Sequence, residues 1–157
     1  MSGRSSPPGG GRRRGGPTVG AVVTGTIVGQ AKRGVLVELG AVEVLLPRSR
    51  YGAASDRIEE AGYGDALTVE VVAEPGQPGG TGLSRVGIER SLRQPRAIAG
   101  TIRRQGLGFE LVPADGAAAF AVVLLDRFAA EELVGRPGDW LVGAPHRDVR
   151  FVLVDGT

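Results

Sequence analysis

The chain has no cysteine and a single histidine, His146. Without thiols there are no disulfides, no thiolate nucleophile and no cysteine-ligated zinc. With one imidazole, Ser-His or Cys-His catalysis and multi-histidine metal sites lack their parts. Aromatic residues are scarce: four Phe, two Tyr and one Trp in 157 residues. The longest apolar run, Ala117–Leu125, has nine residues, against roughly 18 for a membrane-spanning helix. No apolar stretch follows the N-terminal arginines, so no secretory signal is read there. The expectation is a cytoplasmic protein with no membrane partner, no metal and no cofactor.

Lysine is nearly missing as well. Eighteen of the nineteen basic residues are Arg, with Lys32 the exception. The net charge is only +2, but it is unevenly placed. Arg4, Arg12, Arg13 and Arg14 give residues 1–16 a charge of +4 without an acid. A second basic run, Arg85, Arg90, Arg93, Arg96, Arg103 and Arg104, stands against Glu89 alone. Guanidinium groups bind phosphate bidentately and stack on bases, so both runs suit nucleic acid. A general compositional bias towards Arg, Ala, Gly and Val accounts for the same excess without any ligand.

Glycine and proline, in contrast, are abundant, at 27 and 10 residues. Residues 1–17 hold six Gly, three Pro and no apolar residue beyond Met1. They cannot bury a core and read as a disordered Gly/Arg-rich tail. The remainder is turn-rich, which favours short strands over long helices. Val19–Val28 is β-branched and strand-like. Gly34–Gly40 and Ala41–Leu46 follow as a hairpin, stopped by Pro47. Tyr51–Ala61 reads as one short helix, with Asp56 and Glu59 at capping-box spacing. Ala66–Glu74 reads as a strand, residues 75–82 as a loop, and Leu83–Ile88 as a last strand. Three strands, a small helix and two strands is the order of a five-stranded OB-fold barrel.

A second block repeats this order. Ile98-Ala99-Gly100-Thr101-Ile102 echoes Val23-Thr24-Gly25-Thr26-Ile27 at an offset of 75. Gly108 echoes Gly34, and Gly138-Asp139 echoes Gly64-Asp65, both at 74. Strands are expected near 97–104, 107–113, 117–125, 138–144 and 149–154, with a helical turn at Arg127–Leu133. The fold class is therefore all-β: two tandem five-stranded barrels, the second degenerate. Its parts are a tail (1–17), a first domain (18–93) and a second OB-like domain (97–157). In the first barrel, Val22, Ile27, Val35, Val37, Leu67, Val69 and Val71 are expected inside.

Residues 18–88 resemble the S1-type RNA-binding domain. The resemblance is carried by Gly20-Ala21-Val22-Val23-Thr24-Gly25-Thr26-Ile27, Gly34-Val35-Leu36-Val37, Leu45-Leu46-Pro47-Arg48-Ser49, Gly64-Asp65 before Thr68-Val69-Glu70-Val71, and Leu83-Ser84-Arg85. It implies single-stranded RNA bound across strands two and three. The second block more loosely resembles a degenerate S1 or cold-shock-like OB domain. The departures lie on the binding face. Where the family places aromatics around strand two, this sequence has Arg33 and Leu36; where it often has His, it has Pro47. Base–aromatic stacking is worth roughly 1–3 kcal/mol per base, so arginines would have to carry the contact. Candidate RNA contacts are Lys32, Arg33, Leu36, Arg48, Arg50 and Arg85, with Tyr51 as a substitute stacking platform. In the second block they are Arg103, Arg104, Phe109 and Phe120, the two Phe being equally readable as core. Phe128, Trp140 and Phe151 read as core.

Catalytic candidates are few. Glu59-Glu60 and Glu131-Glu132 are adjacent on helical turns and point to different faces, which suits no acid–base pair. The Gly-rich 76–82 stretch lacks the Lys-Ser/Thr of a phosphate-binding loop. The expected function is non-catalytic RNA binding in translation or RNA metabolism, of bacterial type, with ribosome association as one setting. The alternative is a protein-interaction adaptor on barrels that have lost their stacking platform. Arginines converging on the strand two–three face would favour RNA; a neutral, apolar face would favour the adaptor.

Overall fold

The computed structural model describes residues 18–154. The tail expected to be disordered (1–17) lies outside these residues. The first unit contains β1 (Val22–Ala31), β2 (Gly34–Leu39), β3 (Val42–Pro47), α1 (Ser55–Glu60), β4 (Ala66–Ala73) and β5 (Thr81–Ser84). A second short helix, α2 (Val86–Ser91), leads to β6 (Arg96–Gln105), β7 (Gly108–Pro113), β8 (Phe120–Leu124), β9 (Pro137–Val142) and β10 (Arg150–Leu153). A 3-10 turn at Ala130–Leu133 stands where the second unit was expected to turn.

Both units share one topology. The first sheet runs β3-β2-β1-β4-β5, and the second runs β8-β7-β6-β9-β10. In the second, a parallel β8–β10 ladder closes the barrel. In the first, β3 packs beside β5, but no ladder joins them among the described residues. The expected closed ladder is thus a curled sheet with a seam. The block expected to be degenerate is the one fully hydrogen-bonded around its circumference.

The repeat is visible residue by residue. A Cβ on Gly25 would lie 2.6 Å from the Glu38 carbonyl oxygen, and one on Gly100 would lie 2.4 Å from that of Val112. Each glycine lets strand one bend tightly over strand two, which a small barrel requires. Ile27 and Ile102, two residues on, are both buried. The offset falls from 75 at Gly25 to 74 at Gly34 because β1 carries a bulge between Ile27 and Gly29, one extra residue in the first unit. The Gly64–Gly138 match is corrected. Gly64 (φ 93°) donates its N–H to the Ile27 carbonyl at 2.7 Å. Gly135 (φ 83°) makes the same bond to Ile102 at 2.7 Å. Gly135 is therefore the equivalent, whereas Gly138 sits inside β9 opposite Gly100.

The first core holds Ile27, Val35, Val37, Leu46, Tyr51, Ile58, Leu67, Val69, Val71 and Leu83. Val22, expected among them, is on the opposite face of β1. It packs with Ile88, Leu125 and Phe151 in a separate cluster between the barrels. The strand expected over Leu83–Ile88 ends at Ser84, whose hydroxyl accepts the Val86 N–H at 3.1 Å as α2 begins. Strand β4 is buried on both faces: the outward Thr68 and Glu70 lie against the second barrel. The Glu70 carboxylate is within 2.9 Å of His146 Nε2 and accepts from Arg147 Nε at 2.5 Å. Ala144 N donates to the Ser91 carbonyl at 2.8 Å, completing the junction.

Candidate nucleic-acid interface

The outward face of β2 and β3 is a graded surface. Leu36 pairs with Leu45 at its centre, both half-buried. Glu38 stands opposite Glu43 at one end, both exposed. Like charges directly opposed across strands repel, so this end does not favour a phosphate chain. The other end is basic. Lys32 and Arg33 form the β1–β2 turn, exposed and without an ion-pair partner among the described residues. Arg48 is held beside them, with Nη1 donating to the Lys32 carbonyl at 3.3 Å and Nε bonded to Glu59 at 2.6 Å. Backbone closure is tight, as Arg48 N donates to Arg33 O at 2.7 Å.

From this basic end a cleft runs along the seam between β3 and β5. Its lining includes Arg33, Leu45, Pro47, Arg50, Gln77 and Thr81. It exists because the ladder does not close there. Arg50 and Glu74 cross it as an ion pair at 2.8 Å, each side chain about a third exposed. OB barrels bind oligonucleotides on this strand two–three face and at the adjoining turns.

Two expected contacts are corrected. Tyr51 is 1 % exposed and belongs to the first core, so it offers no ring to a base. Burial pushes its phenol pKa above the ordinary value of 10.0, with Arg48 lowering it and Glu59 raising it further. Arg85 is fully buried. Its Nη1 donates to Thr68 O at 2.8 Å and Asp126 Oδ1 at 3.0 Å, and its Nη2 to Glu89 at 2.5 Å. It ties the barrels together and cannot reach a phosphate. Its Nε is a buried nitrogen without a partner.

In the second barrel Arg103 pairs with Glu110, and Arg104 pairs with Glu131 while covering the Phe109 ring at 5.0 Å. Phe109 and Phe120 are half-buried and pack on the second core. Trp140 also packs there, whereas Phe151 joins the inter-barrel cluster and Phe128 is exposed. Among the described residues, no group of three His, Asp or Glu is placed to hold a metal ion. The sequence reading missed His146 as a junction residue, and a lone His in a Pro-His-Arg-Asp turn carries no signal for it.

No protein-family model and no curated protein matches the chain. Among solved structures it is similar to GSP13 from Bacillus subtilis, with 26 % identity and a TM-score of 0.38, over 47 % of this chain and 59 % of that one. It is also similar to a multidomain protein with nucleic acid binding domains from Streptococcus pneumoniae. There the identity is 15 % and the TM-score 0.32, over 83 % of this chain and 50 % of that one. The chain spans between half and two thirds of the length of these proteins.

Proposed function

We propose that this protein binds single-stranded RNA non-catalytically, along the first barrel from the Lys32–Arg33 turn into the β3–β5 cleft. The observation that carries the reading is the unpaired Lys32 and Arg33 beside Arg48, at the mouth of a cleft built by an unclosed OB barrel. Two unpaired cations on one turn, with Arg48 beside them, track a phosphate chain, and the Leu36–Leu45 pair offers bases an apolar but non-aromatic floor. RNA, rather than DNA, and a role in translation or RNA metabolism rest on the S1 resemblance; the proposed cytoplasmic setting rests on the lack of cysteine and of a long apolar run. The acidic Glu38–Glu43 end and the missing rings favour the adaptor reading, in which Leu36 and Leu45 meet a protein.

Fluorescence anisotropy with a labelled single-stranded RNA and a matched duplex DNA, at two salt concentrations, tests this. RNA binding that weakens as salt rises supports the proposal. No RNA binding at low salt gives the surface to a protein partner.

A further inference from the structure

The second barrel has a cleft at one end, distinct from the first-barrel surface. Arg96, Ile98, Pro113, Asp115, Phe120 and Arg150 line it. Its volume is about 610 Å³, within the roughly 300–1,000 Å³ of small-ligand sites, and barrel mouths are a common place for them.

The strand alternation builds it. Val152 is fully buried in the second core, so Arg150, two residues earlier on β10, points to the same inner side. It reaches the barrel mouth instead of the core. Two contacts fix its guanidinium: Cζ lies 4.8 Å from the Phe120 ring centroid, and Nε donates to the Gly143 carbonyl at 3.0 Å. Its terminal amino groups have no acceptor among the described residues, so the fork is oriented before any ligand arrives. Arg96 is exposed and has no ion-pair partner there either. The acid in the lining, Asp115, already accepts the Ala117 N–H at 2.9 Å through Oδ1. Ile98, Pro113 and Phe120 supply apolar wall. The connector leading in carries Arg90 and Arg93, both exposed and unpaired among the described residues. Arg93 is three residues from Arg96, at most about 10 Å of chain.

We infer that this mouth binds a nucleotide bearing a terminal phosphate, with Arg96 and Arg150 holding the phosphate and the half-buried Ile98 and Phe120 meeting the base at their exposed edges. A planar fork fixed in advance matches phosphate bidentately. Two guanidinium groups whose terminal amino groups have no acceptor among the described residues can each take a different oxygen of a terminal phosphate, which presents three, whereas an internal phosphodiester presents two. The ligand class rests on the nucleic-acid reading, but the site does not share a residue with the first-barrel cleft.

Trp140, the one tryptophan of the chain, pairs with Ile98 across β6 and β9 and reports on this end of the barrel. The test is titration of the full chain with AMP, adenosine and inorganic phosphate, followed by Trp140 fluorescence and calorimetry. AMP is expected to bind, with adenosine and phosphate each about tenfold weaker. Arg150→Lys, which keeps the charge but loses the fork, should weaken AMP about tenfold. Arg96→Gln, at an exposed position, should weaken it several-fold. The Lys32→Ala/Arg33→Ala variant should bind AMP as the wild type does, so failure of the first-barrel reading leaves this result standing. Comparing AMP with a 5′-phosphorylated dinucleotide separates a free nucleotide from a strand end. No AMP binding at about 5 mM, adenosine binding as tightly as AMP, or equal losses in the Arg96 and Lys32/Arg33 variants would overturn the inference.

Discussion

Asp126 and Thr68 hold each other reciprocally across the two barrels. Asp126 Oδ1 accepts the Thr68 backbone N–H at 2.7 Å, and Thr68 Oγ1 accepts the Asp126 N–H at 2.8 Å. Thr68 Oγ1 lies 2.8 Å from Thr24 Oγ1, so the lock reaches β1 as well. Asp126 adopts φ 56°, a left-handed conformation that Asp and Asn tolerate. Arg85 and Arg57 both pair with its carboxylate. Asp126→Ala should therefore destabilise the protein by about 3 kcal/mol, while Asp126→Asn, which keeps the acceptor and the backbone, should lose less. Urea unfolding should show one transition in the wild type and two in Asp126→Ala. A single unshifted transition in that variant would mean the barrels are not joined here.

Arg85 gives the cleanest separation of structure from binding. Arg85→Ala leaves Glu89 and Asp126 near the junction without their buried partner, a loss of about 3–5 kcal/mol. At temperatures where the variant stays folded, its RNA affinity should match the wild type. A selective loss of affinity without loss of stability would restore Arg85 as a contact.

The two bending glycines should respond alike. Gly25→Ala and Gly100→Ala each drive a methyl into a backbone carbonyl of strand two, where overpacking typically costs about 1–3 kcal/mol. Gly29→Ala, whose nearest neighbour would be a Leu36 methyl at 3.9 Å, should change stability little. Thermal melts of the three variants check this; an equal shift in all three would contradict the shared role of Gly25 and Gly100.

Tyr51 sets an alkaline limit. Its phenol pKa is raised in the folded chain, chiefly by burial. The neutral form is thus favoured on folding. Its contribution is complete below the unfolded value of 10.0 and is lost as pH rises from there through the folded value. Tyr51→Phe should reduce the stability loss seen between pH 9 and about 11 in urea titrations. An identical alkaline loss in both proteins would place its cause elsewhere.

The strands were legible because alternation and glycine placement are local. Val35, Val37, Leu67, Val69 and Val71 all face the core as expected. What alternation cannot say is what covers the other face. Val22, Thr68, Glu70 and Arg85 occupy outward or post-strand positions that would be solvated on an isolated barrel. Here the second barrel buries them, wholly or in part. Tyr51 failed for a related reason: directly after strand three, the 3-10 turns that bring its ring back into the first core leave no periodic signature. The Gly64–Gly138 match arose because glycine is frequent, whereas Gly64 and Gly135 are related by a backbone bond to Ile27 and Ile102.

The central claim is that the Lys32–Arg33 turn holds a phosphate chain. The direct measurement is the salt dependence of single-stranded RNA affinity in Lys32→Ala/Arg33→Ala, against Arg136→Ala as a control on the second barrel. Each neutralised phosphate on a single strand contributes about −0.7 to the slope of log affinity against log salt. The account predicts a slope shallower by about 1.4 in the double variant and an unchanged slope in the control. Equal slopes in the wild type and the double variant would contradict it.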